Sequence, residues 1–230
     1  MEKKYEDNEN ISYVSSLGDL YRASINASAQ LITNGSFEDG TCGGAKFVRL
    51  LAGASTLTGW TVGGESVDYN CTELWNASDG DKSVDMGGEH NGSLSQSITT
   101  ATGVNYVVTF DLSGNPAGGS LTKSLTVQAI GSPSAIYSYT VPGYNLTGPF
   151  VLEYESYSYA FTATGPITSL VFTNDDNSGY GPVLDNVAAS AVSGLVCHRN
   201  SGSALFKTLD VRVGAFAAHV AHGDQLGACS

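Results

Sequence analysis

The sequence predicts an all-β protein, and three observations carry that prediction. The chain holds 28 Gly and 12 Tyr in 230 residues, and only 14% of its residues are charged. That balance suits half-buried pleated surfaces joined by tight turns. Apolar and polar residues alternate at period two, as in "YVVTFDLSG", where Val108, Phe110 and Leu112 share a face. Clusters of Gly, Asn, Asp, Ser and Pro separate such segments at the short intervals of a sandwich or barrel.

Residues 1–29 are polar and weakly patterned, with one short alternation in "ISYVSSLGDLY". They read as an N-terminal arm, either disordered or adding a strand to a neighbouring copy. "INASAQ" resembles a cleavage site after Ala29, but no apolar run precedes it, so residues 1–29 do not read as an export signal.

The main domain, 30–192, opens on "LITNGSFEDG", where Asn34-Gly35 signals a turn and Phe37 is a core aromatic beside Glu38 and Asp39. Strands follow in "ESVDYN", "KSVDMGG" and "GSLSQSITT". In "KSLTVQAIG", Leu125, Val127 and Ala129 share a face. "YAFTATGPITSLVFTN" gives two strands broken at Gly165-Pro166, the first carrying Tyr159, Phe161 and Ala163 and the second Leu170 and Phe172. Residues 193–230 change character: "LVCHRNSGSALFKTLDVRV" predicts a hairpin, and "GAFAAHVAHG" a short helix ended by Gly223. So short a module cannot bury enough surface alone and needs a staple.

A net charge of −12 disfavours nucleic acid and anionic membrane surfaces, and leaves divalent cations and neutral glycans as compatible partners. No apolar stretch approaches the roughly 18–20 residues of a membrane span, so no membrane insertion is expected. The four cysteines fall into an early pair, Cys42 and Cys71, and a late pair, Cys197 and Cys229. A disulfide in each half is expected, with free buried thiols as the alternative. Asn-x-Ser/Thr acceptors occur at Asn10, Asn26, Asn34, Asn70, Asn76, Asn91 and Asn145. With the cysteines they point to an extracellular or cell-surface glycoprotein.

Catalytic patterns are lacking. There is no Gly-x-Ser-x-Gly elbow, no P-loop, and His90 is the only histidine outside the tail. Aromatics are the expected glycan platform. Trp75, in the polar stretch "CTELWNASDG", is the main surface candidate, with Tyr69 and Tyr144 behind it. In the tail, His219 and His222 are spaced i, i+3 and raise zinc with Cys197 and Cys229. The long Cys–Cys spacing, and His198 crowding Cys197, favour instead a Cys197–Cys229 disulfide with the histidines bonded inside the module, Asp224 partnering one of them.

"LITNGSFEDG", "LTGWTVGGESVDY", "GDKSVDMGGEHNGSLSQSI", "NYVVTFDLSGNP" and "YGPVLDNVAAS" together resemble the choice-of-anchor C family of bacterial surface proteins. That family is similar to a plant cell-wall family of unknown function. The resemblance covers residues 30–190 and implies a galactose-binding-like jelly roll. The tail, with Cys197-His198, Thr208 to Val211, Ala218 to Asp224 and Cys229, resembles a short C-terminal unit of secreted bacterial proteins. In related carbohydrate-binding jelly rolls the opening loop and an Asp near the last strand often hold calcium. By that resemblance Glu38 and Asp185 are the expected ligands, Gly35 supplies a carbonyl, and Asp85 is a further candidate. Otherwise Glu38 and Asp185 bond backbone amides. The functional expectation is a non-catalytic, extracellular polysaccharide-binding β-sandwich of a wall or matrix. The alternative is a structural subunit of a filament or sheath, joined to other copies of itself through the arm.

Overall fold

The computed structural model describes residues 31–71, 74–145, 147, 150–199, 206–212, 215–226 and 229. The arm at 1–29, with Asn10 and Asn26, lies outside the described residues, and so does its proposed strand addition.

Two antiparallel sheets pack face to face. The first runs in the order β1 (Phe47–Leu51), β3 (Ser66–Asn70), β4 (Ser83–Asp85), β11 (Pro182–Arg199), β6 (Val104–Gly114) and β9 (Glu155–Thr162). The second runs β2 (Thr61–Gly64), β5 (Gly92–Thr99), β10 (Ile167–Asn174), β7 (Thr122–Ala129) and β8 (Ala135–Thr140). This is the sandwich expected from the alternation, with the jelly-roll architecture that the family resemblance implies. The sequence reading did not single out β1, β2 and β8. All three are edge strands, and β1, "FVRLL", lacks a clean period of two.

The core between the sheets is an aromatic chain. Phe37 lies 5.3 Å from Trp60, Trp60 lies 6.0 Å from Phe172, and Phe172 lies 5.7 Å from Phe110. All four are buried. Trp60 donates its indole N–H to the Asn34 carbonyl at 2.8 Å, which satisfies the polar end of a buried ring and fixes the opening loop.

β11 organises the molecule. It pairs with β6 from Pro182 to Gly194, with an irregularity at Asn186, whose φ is +49°. From Ser193 onward it pairs with β12 (Phe206–Arg212), and at Val196 and Cys197 with β13 (Gln225–Leu226). A one-turn helix, α1 (Phe216–Ala221), lies between them. The C-terminal hairpin thus shares a continuous strand with the sandwich. Both disulfides form, Cys42–Cys71 and Cys197–Cys229, so the thiols are not available as zinc ligands.

Candidate functional site

Strand alternation places polar residues on the outer face of the first sheet. Val67, Tyr69 and Val84 enter the core, so Ser66, Asp68 and Asn70 of β3 and Ser83 and Asp85 of β4 face outward. Asp68 and Asp85 are direct cross-strand partners. All five outward residues are nonetheless buried, because chain segments lie over this face. Trp75, Leu152 and Val183 form a second apolar cluster there, joined by Leu74, Phe150 and Tyr154.

Carboxylates fasten one of these segments. Asp185 Oδ2 accepts the N–H of Ser78 at 2.7 Å and of Asp79 at 2.9 Å, and its Oδ1 accepts that of Asn186 at 2.7 Å. Glu38 Oε1 accepts the N–H of Asp81 at 2.8 Å and of Lys82 at 2.7 Å. Asp111 accepts the Ser78 hydroxyl and, at 2.9 Å, the Asn186 side-chain amide. The Gly35 carbonyl accepts Val187 N–H at 2.9 Å. The oxygens expected to hold calcium therefore bond to N–H groups of segment 78–82 and of β11. Asp85 is spent the same way, on Gly87 N–H, Gly181 N–H and the Asn115 amide at 2.9, 3.0 and 2.7 Å.

Where the cover ends, a groove of about 670 Å³ opens over β1, β3 and β4. Its polar wall is built on Arg49. The guanidinium donates two bonds to Asp68, at 2.8 and 3.0 Å, one to Glu89 at 3.0 Å and one to the Gly88 carbonyl at 2.9 Å. These carboxylates raise the Arg49 pKa, chiefly through the Asp68 bond. The floor is Asn70, Asp85 and Asn115, all buried. Burial pushes Asp85 up to about 7 against the opposing pull of its N–H donors. Asn70 Oδ1 is buried and accepts no hydrogen bond from the described residues. Such an atom costs on the order of 1–3 kcal/mol unless a ligand or water satisfies it.

The other wall is aromatic: Phe47, Trp75, Phe150 and Tyr180. Tyr180 is 43% exposed and lies against Gly118, where an added Cβ would stand 2.8 Å from the ring. Glycine is required there by that close approach. Lys123, wholly buried, donates to the carbonyls of Gly118 and Tyr180 at 2.7 Å each and so locks the two loops together. Desolvation lowers its pKa.

The structure corrects several expected sites. Trp75 is 6% exposed and donates its N–H to Ser83 Oγ at 3.0 Å, so its edge lines the groove but its face is no open platform. Tyr69 is fully buried in the core and donates its hydroxyl to the Phe37 carbonyl. Tyr144 is exposed, but on the neighbouring loop, with its hydroxyl on the Gly119 carbonyl. Asn70 is buried and cannot receive a glycan in the folded protein. Asn76 is exposed but bonds Leu152 through both ends of its amide, Asn91 is exposed, and Asn145 is half-buried. In the tail, His198 and His219 both bond Asp224, whereas His222 is exposed. Sequence reasoning missed Arg49, Phe150 and Tyr180. The available signal was for the floor beside them, the repeated Ser-Val-Asp of "SVDYN" and "SVDMG", whose aspartates, Asp68 and Asp85, are cross-strand partners.

Comparison with known proteins adds the following. Halomucin of Haloquadratum walsbyi is 25% identical over 208 residues, which is 81% of this chain, and the chain spans about 2% of that protein's length. TmCBM61, solved with β-1,4-galactotriose, is 17% identical at a TM-score of 0.46, covering 71% of this chain and 99% of that one. A family 35 carbohydrate-binding module from Clostridium thermocellum is 11% identical at a TM-score of 0.40, covering 62% of this chain and 97% of that one. The model of the family described as "Protein of unknown function (DUF642)" matches residues 30–190, from the opening loop through the first half of β11, and the chain belongs to that family.

Proposed function

We propose that this protein is a non-catalytic, extracellular polysaccharide-binding sandwich whose ligand lies in the groove over β1, β3 and β4. The observation that supports this most directly is the pairing of an aromatic wall with a dense, buried polar floor that contains the unpartnered Asn70 Oδ1. A sugar ring offers an apolar face to Tyr180 and hydroxyls to Arg49, Asn70 and Glu89. Asp68, Asp85 and Glu89 outnumber Arg49 in the groove, so a neutral glycan fits better than a uronic or sulfated one. Hydrolysis would need a carboxyl group with an oxygen free to move a proton. Here Asp85 holds three donors and Asp68 is clamped by Arg49, so among the described residues the exposed Glu89 has no second free carboxyl group in the groove to complete an acid–base pair. Two disulfides suit an oxidising, extracellular setting.

Retention on a panel of immobilised neutral polysaccharides tests the reading. Tyr180→Ala and Arg49→Ala are each expected to weaken binding at least tenfold, with no release of reducing sugar by the unmodified protein. Equal retention of both variants, or steady release of sugar, would refute it.

A further inference from the structure

We propose a second site, in the tail: His198, His219 and Asp224 bind one divalent transition-metal ion of the zinc type. Among the described residues this is the one group of three His, Cys, Asp or Glu side chains whose ligand atoms converge, all lying within 4.8 Å of one another. Asp224 Oδ2 stands 2.8 Å from His198 Nδ1 and 2.7 Å from His219 Nδ1. The two rings are 5.6 Å apart and perpendicular, so both nitrogens are aimed at one point from different directions.

Local sequence builds this arrangement. Gly223, at φ +84°, ends α1 in the left-handed region, and Asp224 N–H turns back to the His219 carbonyl at 3.1 Å. That closure brings the Asp224 side chain beneath the imidazole five residues earlier. β11 supplies His198 from the opposite side, and the adjoining Cys197–Cys229 disulfide holds the end of the chain against the same strand. The pattern His-x-x-His-Gly-Asp thus has a mechanical reading. Its first histidine and its aspartate are ligands, while His222 is left facing solvent.

The chemistry favours a metal. The Asp224 side chain is 1% exposed, and its Oδ2 faces two imidazoles. Two imidazole nitrogens and one carboxylate are a set that zinc takes with bonds of about 2.0–2.2 Å, leaving a fourth position for water. A tetrahedron of such bonds has edges of about 3.3 Å, so each Nδ1 moves about half an ångström away from Asp224 Oδ2, while the two histidine ligand atoms, within 4.8 Å of each other, draw together to the same edge. The side chains of His198 and His219 are 28% and 21% exposed, so an ion can reach the site from solvent.

The test titrates the full disulfide-bonded chain with zinc chloride at pH 7.5 by calorimetry. One ion per chain is expected. Asp224→Asn and His219→Gln should each weaken binding more than tenfold, and His222→Gln should not change it. Uptake unaffected by Asp224→Asn, or lost in His222→Gln, would overturn the proposal. The unmodified chain gives a second reading that does not depend on how the variants fold. Zinc should shift the imidazole ¹⁵N resonances of His198 and His219 and leave those of His222 and His90 in place. No saturable uptake, or shifts confined to His222 or His90, would equally overturn it.

Discussion

Asp185 is wholly buried and holds three backbone N–H groups of segment 78–79 and Asn186. Replacing it with Ala strands those donors, and Asp185→Ala is expected to cost about 2–4 kcal/mol in chemical denaturation. In the unmodified protein, added calcium should leave the melting temperature unmoved, because backbone N–H groups already bond the Asp185 oxygens and Glu38 Oε1. Asp85 and Asp185 are both pushed up to about 7 by burial, above the usual carboxylate value. The folded state then binds their protons more tightly than the unfolded chain. The stability they contribute is full below the ordinary Asp pKa and is lost as pH rises through about 7. The melting temperature should therefore fall between pH 5 and pH 7.5, and Asp85→Asn should flatten that slope. Trp75→Ala should cost about 3–5 kcal/mol, since the ring anchors the apolar cluster on Val183 and Leu152. Phe37 was legible as core from its setting, and the family resemblance made Glu38 and Asp185 legible as a related pair. Their partners were not legible. Amides 78–82 arrive from a remote segment, and no local pattern announces them. Trp75 looked exposed because its sequence neighbours are polar, yet its cover comes from Leu152, far along the chain.

At the scale of elements, alternation made most of the sandwich readable, from "YVVTFDLSG" to "ITSLVFTN". It failed at β1, where Arg49 and Phe47 sit on an edge strand without a clean period and serve the groove rather than the core. The tail was legible as a hairpin, a one-turn helix and a staple. What could not be read was that its first strand is the last strand of the sandwich. That continuity has a measurable result. The Cys197–Cys229 link closes 32 residues of sequence and contributes about 3–4 kcal/mol to the tail. The double variant Cys197→Ser/Cys229→Ser should expose residues 206–226 to hydrogen exchange and proteolysis. Protection of β6, β10 and the first half of β11 should persist.

At the scale of the molecule, the groove and the tail site stand at opposite ends of β11. Pro182 lies beside Asp85 at the groove floor, and His198 is sixteen residues on. At about 3.3 Å per residue the two are at most about 50 Å apart along the strand. Zinc should then leave polysaccharide affinity unchanged, and retention on the polysaccharide columns with and without the metal checks it. The same strand carries a mechanical consequence. If a ligand holds the groove while the tail is pulled, the load runs along the axis of β11. It is resisted in shear, by the β6 ladder from Pro182 to Gly194 sharing the force at once, rather than peeled open one bond at a time.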